Sequence, residues 1–500
     1  MVEMTNVSGG FSPVITLDRT AAKPLHRQIY DAFRATIIGR NLQSGQQVPS
    51  SRTLALELGI SRIPVLSAYD QLLAEGYFES RRGAGTFVSS SLPDQLMSCE
   101  YRSAGPDQPP SGPRKTSDRS ALLPGREESP WVFGSGAFSV GQLAFDHFPL
   151  QIWANLVSRH ARKVRASALN YAEPMGSRDF REAIATYLRT ARAVHCDASQ
   201  IMVVSGSQQA LDLSARVLLD PGRPVWVEDP SYRLMQFALT MAGCRLIPVP
   251  VDGEGMDVAA GVKTCRKARA AFVTPSHQFP LGVTMSASRR LQLLDWAHNA
   301  GSWIVEDDYD SEYRYESLPI ASLQGLDHGK RVIYIGTFSK TLFPAVRLGY
   351  MVIPTDLVDR FVAVRRALDV CPPSFNQAVL TDFINQGHFA RHIRKTRMVY
   401  AERRSALVVA VEQEFGSRLP ILGDEAGMNL AVKLPPGLAD REISIRAAAR
   451  NLWLWPLSTS YLGKPVHQGF ILGFGSIKKS DIPAAVRRLK DELSAHPKWS

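Results

Sequence analysis

A lysine and an arginine seven residues apart are the side chains in this sequence best placed to do chemistry. They lie in GTFSKTLFPAVRLGY, where Lys340 follows a β-rich run and has apolar neighbours. Apolar surroundings lower the pKa of a lysine, and its amine can then form a Schiff base with an aldehyde. Arg347 could bind a phosphate on the same molecule, helped by the Thr337 hydroxyl. An isolated Ser-Lys pair after a strand is more often an ordinary surface feature, so further signals are needed.

Three other segments supply those signals. SWIVEDDYDSEY ends a strand on Asp307 and Tyr309, two residues apart. A carboxylate there can pair with a protonated pyridine nitrogen, and a phenol can reach a hydroxyl on the same ring. VVSGSQQAL places small residues between a strand and a helix N-terminus, whose free amides and dipole suit a phosphate. VEDPSY leaves Tyr232 at a strand end, where it could stack on a planar ring or pack within a loop.

Short β-rich runs alternate with helical stretches around these motifs. IMVVSG, PVWVED, RLIPVPV, AAFVTP, SWIVEDD and RVIYIGTF are predicted strands, and SQQALDLSARVLL and SRRLQLLDWAHNAG are predicted helices. Alternation of this kind predicts a mostly parallel α/β sheet covered on both faces. Ligands of such sheets collect outside the carboxyl ends of the strands, which is where the polar motifs fall.

In this order the motifs strongly resemble those of fold-type I pyridoxal 5'-phosphate enzymes of the aminotransferase family, over about residues 140–500. The resemblance implies that Lys340 forms the Schiff base and that Asp307 pairs with the pyridine nitrogen. It also implies that Tyr309 binds the ring hydroxyl and that Tyr232 stacks on the ring. The side chains implied to hold the phosphate are Ser207, Gln208, Thr337 and Arg347.

The resemblance extends to the assembly and to a second, smaller domain. Tyr171, in LNYAEPMGSRDFREAIA, matches a tyrosine that reaches the phosphate of the neighbouring subunit in this family. That match implies a homodimer with sites at its interface. A smaller C-terminal α+β domain at about residues 390–500 would complete the architecture.

Two departures concern the substrate side of the site. Aminotransferases usually carry an Asn-Pro-Thr-Gly turn whose asparagine supports the ring oxygen, whereas this chain has HQFPLG with Phe279 at that place. They also hold the substrate carboxylate with a C-terminal arginine, and no arginine occurs between Asn451 and Val486. The cofactor site is therefore complete, while efficient transamination is doubtful.

The first 90 residues carry a different pattern. PLHRQIYDAFRATIIGR places Leu25, Ile29, Phe33 and Ile37 on one helical stripe. Ser50 or Ser51 could cap a short helix that ends at Gly59, and Ser61 could cap a third helix. FESRRGAGTFV then reads as strand, Gly-rich turn and strand. The segment predicts a helix-turn-helix followed by a basic wing; the alternative is a three-helix cap of an enzyme with solvated arginines.

DNA recognition explains the polar residues of this unit. The N-terminus of a recognition helix contacts base edges, while hydroxyls and arginines hold phosphates. Over about residues 15–90 the chain closely resembles the winged helix-turn-helix domain of GntR-type regulators. The resemblance implies DNA contacts from Arg52 and Arg62, with Gly83 at the wing tip. Ile63 and Pro64 replace the hydroxyl residues that often follow the recognition-helix arginine. The residues placed to contact DNA are Arg52, Ser61, Arg62, Arg81, Arg82 and Gly83.

Composition sets limits on both units. The 500 residues contain 58 Lys and Arg against 47 Asp and Glu, a net charge of +11 that is compatible with a nucleic-acid partner. With 45% hydrophobic residues the chain is not intrinsically disordered, and no run is long enough to cross a bilayer. Five scattered cysteines without a CxxC argue against a disulfide scaffold or a zinc site. The N-terminus has no secretion signal pattern, so we expect a cytoplasmic protein.

Residues 91–130 contain seven prolines and seven serines and separate the two units. Such a stretch predicts a flexible linker, although an irregular loop packed on a domain was also considered. The boundaries are then 15–90 for the winged helix-turn-helix, 91–130 for the linker and 131–500 for the aminotransferase-like domain.

A GntR-type winged helix joined to an aminotransferase-like domain resembles the MocR family of bacterial transcriptional regulators. The resemblance implies a head-to-tail homodimer that binds promoter DNA, carries pyridoxal 5'-phosphate on Lys340 and responds to an amine, amino acid or vitamin B6-type effector. Enzymatic activity is expected to be absent, weak or limited to a half-reaction. The alternatives are a working aminotransferase with an accessory DNA-binding domain, and a regulator whose cofactor site is vestigial.

Overall fold

The computed structural model describes residues 4–7, 10–90, 115–124, 129–132, 134–164, 166–315, 321–423 and 426–499. It contains two compact units, Met1–Lys115 and Thr116–Ser500, which are described separately. Of the segment interpreted as a linker, residues 91–114 and 125–128 lie outside the described residues.

The first unit is the predicted winged helix-turn-helix. Its helices are α1 (Leu25–Ile38), α2 (Ser51–Glu57) and α3 (Arg62–Ala74). Its strands are β1 (Met4–Val7), β2 (Gly10–Pro13), β3 (Gln47–Val48), β4 (Phe78–Arg81) and β5 (Gly85–Val88). The last three form an antiparallel sheet in the order β3-β5-β4, and the turn between β4 and β5 is the wing. The antiparallel pair β1-β2 was not predicted.

Three aromatic rings fix the position of α3. Phe33 of α1, Tyr69 of α3 and Phe78 of β4 pack edge to face, with ring centroids 5.2–5.7 Å apart. Ile29 and Ile37, from the predicted stripe of α1, are buried in the same core. Because α3 contacts α1 and β4 through its buried face, its opposite face and its N-terminus are left to solvent.

The two predicted caps behave differently. The Ser50 side chain accepts a hydrogen bond from the backbone N–H of Thr53 at 3.2 Å and caps α2. Ser61 occupies the N-cap of α3 but makes no side-chain capping bond. Pro64 stands at the third helical position and has no N–H, which removes one of the two backbone donors that an N-cap side chain usually uses. The Ser61 hydroxyl is exposed.

The second unit is built on an eight-stranded sheet in the order β6-β13-β12-β11-β10-β7-β8-β9. Neighbouring strands are parallel except where β13 and β9 take part, as predicted for a mostly parallel sheet. The strands are β6 (Ile201–Val204), β7 (Pro224–Asp229), β8 (Arg245–Asp252), β9 (Gly255–Met256), β10 (Ala270–Val273), β11 (Trp303–Asp308), β12 (Val332–Thr337) and β13 (Gly349–Val352).

Both faces of this sheet are buried. On β6, Ile201 and Val203 join one apolar cluster while Met202 and Val204 join another, as the alternation of side chains along a strand requires. The covering helices include α5 (Leu150–Arg162), α6 (Arg178–Ala191), α7 (Ser207–Leu218), α8 (Arg233–Met241), α9 (Val258–Cys265), α10 (Ala287–Ala300), α11 (Leu323–Leu326), α12 (Val358–Leu368) and α13 (Phe375–Asn385), after the short α4 (Asp118–Ala121).

A second, antiparallel sheet lies within about residues 390–500, the segment assigned to the smaller domain. Its order is β14-β15-β17-β16. Three helices accompany it, the first of which has 28 residues. These elements are β14 (Ile421–Leu422), β15 (Asn429–Lys433), β16 (Trp455–Pro456), β17 (Gly469–Gly473), α14 (His388–Phe415), α15 (Asp440–Ala448) and α16 (Ile482–Ser494).

Part of the segment interpreted as a linker packs on the second unit. Arg119 of α4 donates a hydrogen bond to the carbonyl of Met241 at 3.4 Å. Among the described residues, no helix is long and apolar enough to cross a membrane.

We predict that Ser50→Ala destabilises α2 by roughly 1 kcal/mol, because the N–H of Thr53 loses its acceptor. Hydrogen exchange of the α2 amides in the full-length protein measures this effect. Ser61→Ala is the matched control, and exchange in α3 should be unchanged. Equal acceleration of exchange in both variants would contradict the assignment of the caps.

Candidate functional site

The polar motifs meet at one edge of the large sheet. Strands β11 and β12 are parallel neighbours, with Asp307 opposite Ile335. Their carboxyl ends therefore lie side by side, and Lys340 follows the end of β12 by three residues. The turn after β6 reaches the same edge, because β6 runs in the same direction two strands away.

Lys340 lies in a confined, half-buried position. Burial lowers the pKa of its amine, and the nearby carboxylates of Asp310 and Asp307 oppose that shift. A Cβ added at Gly141 would come within 3.2 Å of Nζ, and Gly141 has a φ of +82°. The glycine therefore leaves the space beside the amine open.

Asp307 faces Lys340 as a carboxylate that lacks a full set of partners. Its Oδ1 atom is buried and has no hydrogen-bond partner among the described residues. Burial, followed by the charges of Asp308 and Asp310, raises the pKa of Asp307 to about 7, and Lys340 lowers it. A buried carboxylate in this state favours the approach of a cation.

The next residue, Asp308, is in the opposite condition. Arg192 forms an ion pair with it at 2.7 Å, and the hydroxyls of Tyr334 and Ser311 donate to the same carboxylate at 2.5 and 2.9 Å. Burial raises the pKa of Asp308, but these partners bring it below its ordinary value. All of these bonds reach Oδ2 of Asp308, whereas its Oδ1, like that of Asp307, is buried without a hydrogen-bond partner among the described residues. The two carboxylates differ because Asp308 has an ion pair with Arg192, while no described residue forms an ion pair with Asp307.

A cradle for an anion lies at the N-terminus of α7. Gly206 precedes the helix with a φ of +100°, and a Cβ there would come within 3.5 Å of the Arg347 guanidinium. No carboxylate of the described residues forms an ion pair with Arg347. Free amides at a helix N-terminus beside an arginine suit a phosphate group.

The other predicted phosphate ligands lie on the elements that border this cradle. Ser207 is the first residue of α7. Thr337 ends β12, and its hydroxyl accepts a hydrogen bond from the N–H of Ser339 at 3.1 Å. Gln208 donates to the carbonyl of Leu234, while its Oε1 is buried without a partner among the described residues.

Aromatic and apolar side chains line the region next to Asp307. The rings of Tyr232 and Phe279 are 5.5 Å apart, and those of Phe279 and Tyr309 are 6.4 Å apart. Burial, with a contribution from Asp307, raises the pKa of Tyr232 to about 12. Phe279 therefore packs between the two tyrosines that were predicted to contact a ring. Buried residues of the same cluster are Leu281, Leu457, Tyr461 and Ile471.

The sequence analysis missed a buried histidine. His277 Nδ1 lies 2.9 Å from the Tyr309 hydroxyl and 3.0 Å from Oδ2 of Asp310. The only signal was the HQFPLG segment, which was interpreted through Phe279 and not through the histidine two residues earlier. Tyr171 is the predicted residue that does not join the site within this chain, since it is 82% exposed.

The predicted DNA contacts of the first unit lie on α2, α3 and the wing. Arg62 is the first residue of α3, and its Nε donates to the Ser51 hydroxyl at 3.0 Å. Arg52 is exposed on α2. Arg82 and Gly83 lie in the turn between β4 and β5, where Gly83 has a φ of +78°.

Two observations modify the prediction, one on the predicted contact Arg81 and one on Ile63. Arg81 is already engaged, because it pairs with Glu79 at 2.6 Å and lies 4.5 Å from the centre of the Phe87 ring. Ile63, beside Arg62 at the start of α3, is 76% exposed and adds an apolar group to this surface.

The side chains at the sheet edge fit pyridoxal 5'-phosphate. The unpartnered Oδ1 of Asp307 suits a protonated ring nitrogen, Arg347 and the α7 N-terminus suit the phosphate, and Lys340 offers an amine. When bound, this cofactor supplies an aldehyde that condenses with amines and a ring that accepts electron density. Arg347 and the N-terminus of α7 would hold the phosphate, Asp307 would hold the ring, and Tyr232 and Phe279 would exclude water from it.

Comparisons with known proteins agree with the fold of both units. The family "Aminotransferase class I and II" matches residues 137–459, and "Bacterial regulatory proteins, gntR family" matches residues 25–88. A kynurenine aminotransferase structure from Pyrococcus horikoshii superimposes with a TM-score of 0.71 at 29% identity, covering 77% of this chain and 98% of that one.

Two curated relatives span nearly the whole chain. The probable rhizopine catabolism regulatory protein MocR of Rhizobium meliloti is 38% identical, covering 96% of each chain. The HTH-type transcriptional regulator TauR of Rhodobacter capsulatus is 29% identical, covering 91% of this chain and 94% of the relative. The chain therefore belongs to the MocR family of pyridoxal phosphate-dependent transcriptional regulators, in which a GntR-type DNA-binding domain precedes an aminotransferase-like domain.

Proposed function

We propose that this regulator senses an amine through a cofactor attached to Lys340 and that the amine changes how the winged helices are presented to promoter DNA. The observation that carries the proposal is the placement of the Lys340 amine near the buried, unpartnered Oδ1 of Asp307, at the ends of adjacent parallel strands. A lysine with a lowered pKa exchanges its place on an aldehyde with an incoming amine more readily than an ordinary lysine does.

Each predicted site residue has a role in this proposal. Asp307 holds the protonated ring nitrogen, Tyr309 faces the ring hydroxyl, and Tyr232 stacks on the ring. The phosphate is held by Ser207, Gln208, Thr337 and Arg347. In support, Arg347 lies against Gly206 at the start of α7, where helix amides are free.

Sensing is favoured over turnover by what the effector side of the site contains. Phe279 stands where aminotransferases use an asparagine, and no arginine occurs between Asn451 and Val486 to hold a substrate carboxylate. The effector is therefore an amine, an amino acid or a vitamin B6-type compound that is not held by the usual carboxylate clamp. A working aminotransferase would show steady-state turnover with amino donors and keto acids, whereas the sensor would show a half-reaction or none.

The proposed assembly is a head-to-tail homodimer acting on DNA in the cytoplasm. Tyr171 supports it, because it is 82% exposed and Leu169, on the same stretch, is 78% exposed. Exposed large side chains of this kind are typical of surfaces that another protein covers. A second copy would bury them and bring Tyr171 to the phosphate of its partner.

We predict that Lys340→Ala abolishes the visible absorbance of the lysine-bound cofactor while the fold persists, because only the covalent attachment needs this amine. Borohydride treatment followed by mass spectrometry should find the pyridoxyl group on Lys340 of the wild type and on no residue of the variant. Lys263→Ala, an exposed lysine on α9, is the control. Unchanged absorbance in Lys340→Ala would overturn the cofactor assignment.

We predict different effects for two arginines of the first unit. Arg62→Ala should cost roughly 1–3 kcal/mol of binding to the upstream DNA and relax specificity at one base position. Arg82→Ala should weaken binding to all sequences alike and reduce the salt slope by about one. Titrations at several salt concentrations measure both effects.

Arg27→Ala, on α1, is the control for the loss of a positive charge, and Arg27 already pairs with Asp31 at 3.4 Å. Wild-type affinity and salt dependence in both Arg62→Ala and Arg82→Ala would show that these residues do not contact DNA.

A further inference from the structure

A buried histidine contacts the tyrosine predicted to face the cofactor ring. His277 is 1% exposed, and its Nδ1 atom lies between the Tyr309 hydroxyl at 2.9 Å and the Asp310 carboxylate at 3.0 and 3.2 Å. The Tyr309 hydroxyl is also 3.0 Å from the backbone carbonyl of His277. These three residues form one hydrogen-bonded group at the end of β11.

The direction of these hydrogen bonds follows from the chemistry of the partners. A carboxylate only accepts, so Nδ1 of His277 carries a hydrogen that points toward Asp310 and Tyr309. Tyr309 then accepts from the ring and keeps its own hydrogen, which it donates to the carbonyl of His277 in this structure. The same hydrogen is available to a ring oxygen when the cofactor is bound.

The surroundings hold the imidazole in this orientation. A Cβ added at Gly427 would come within 2.0 Å of Cε1 of His277, so the ring packs directly on the glycine backbone. Nε2 is buried there and has no hydrogen-bond partner among the described residues. The only described polar partners of the ring are therefore on its Nδ1 side.

Several charged and titratable groups act on this site from neighbouring elements. Burial, Asp310 and then other carboxylates raise the pKa of Tyr309 well above its usual range. Arg314 donates to the carbonyl of Ser276, and Tyr315 donates to the carbonyl of Gly427. Among the described residues, the charged and titratable groups near this site include Glu228, Asp307, Asp308, Asp310, Arg314, Tyr315 and Lys340.

Phe279 gives a reason for the hydrogen-bonded group of His277, Tyr309 and Asp310. It occupies the position of the asparagine that supports the ring oxygen in aminotransferases, and it offers no hydrogen-bonding group. We propose that His277 is a positioning residue that, with Asp310, fixes and polarises the Tyr309 hydroxyl and so replaces the missing asparagine contact. This inference rests on the proposed function, in which Tyr309 faces the ring oxygen.

The test is the pH at which the visible absorbance of the bound cofactor changes. The group that titrates is the nitrogen that would join Lys340 to the cofactor. A hydrogen bond to the ring oxygen stabilises the negative charge of that oxygen most when this nitrogen has lost its proton. Weakening that bond in His277→Leu should therefore raise the midpoint by roughly half a pH unit or more. His277→Asn keeps an N–H donor near the position of Nδ1, and its midpoint should stay close to that of the wild type.

Tyr309→Phe distinguishes a positioning role from a direct one. It should raise the midpoint, and adding His277→Leu to it should cause no further shift, because the histidine acts through the tyrosine. His160→Leu is the matched control, since His160 also pairs with a carboxylate, Asp382, at 2.8 Å on other helices. If His277→Leu does not fold, His277→Gln replaces it in the experiment. The glutamine amide lies one bond beyond the position of Nδ1 and cannot donate to Tyr309 from that position, so we expect the same shift of the midpoint.

Cofactor loading, measured by pyridoxal phosphate released on denaturation, distinguishes a failure of the proposed function from a failure of the role of His277. A wild type that takes up no cofactor would refute the proposed function. A loaded His277→Leu with the wild-type midpoint, or a full extra shift in the Tyr309→Phe background, would overturn the role of His277 alone.

Discussion

A buried carboxylate with an unpartnered oxygen is the constraint on which the second unit depends. Asp307 is 5% exposed, and its Oδ1 has no hydrogen-bond partner among the described residues. Leaving such a group unsatisfied costs free energy that the rest of the fold must offset. Burial raises the pKa of Asp307 to about 7, which shows that its charged form is disfavoured in this position. A cationic ring nitrogen beside it would stabilise the charged form.

The surrounding residues keep Asp307 in this state. Arg192 forms an ion pair with Asp308, and Tyr334 and Ser311 donate to the same carboxylate, whereas no described residue forms an ion pair with Asp307. Lys340 is a nearby cation whose charge lowers the pKa of Asp307. Parallel pairing of β11 with β12 places the lysine beside the carboxylate. In the DNA-binding unit, the Ser61 hydroxyl at the start of α3 likewise makes no side-chain capping bond.

Local patterns predicted most of the elements. Strand-end motifs also singled out Lys340, Asp307 and Arg347, which the structure brings to one edge of the sheet because each lies within a few residues of the strand or helix that positions it. His277 and Asp310 are 33 residues apart, and only the pairing of β10 with β11 brings their loops together. The sequence predicted that Ser61 caps α3, but it makes no side-chain capping bond. Pro64, which lacks an N–H, was a signal in the sequence against that cap. The role proposed for Tyr171 comes from the resemblance of its sequence segment, and it would require a second copy of the chain because the residue is 82% exposed in a single chain.

The most direct test of this account compares pyridoxal 5'-phosphate with an analogue in which a C–H group replaces the ring nitrogen. If Asp307 is arranged to receive a protonated nitrogen, the wild type should bind the analogue about 10-fold to 100-fold more weakly, the range expected for a charge-assisted hydrogen bond. In Asp307→Asn the difference should shrink. Equal affinity of the wild type for both compounds would contradict the account.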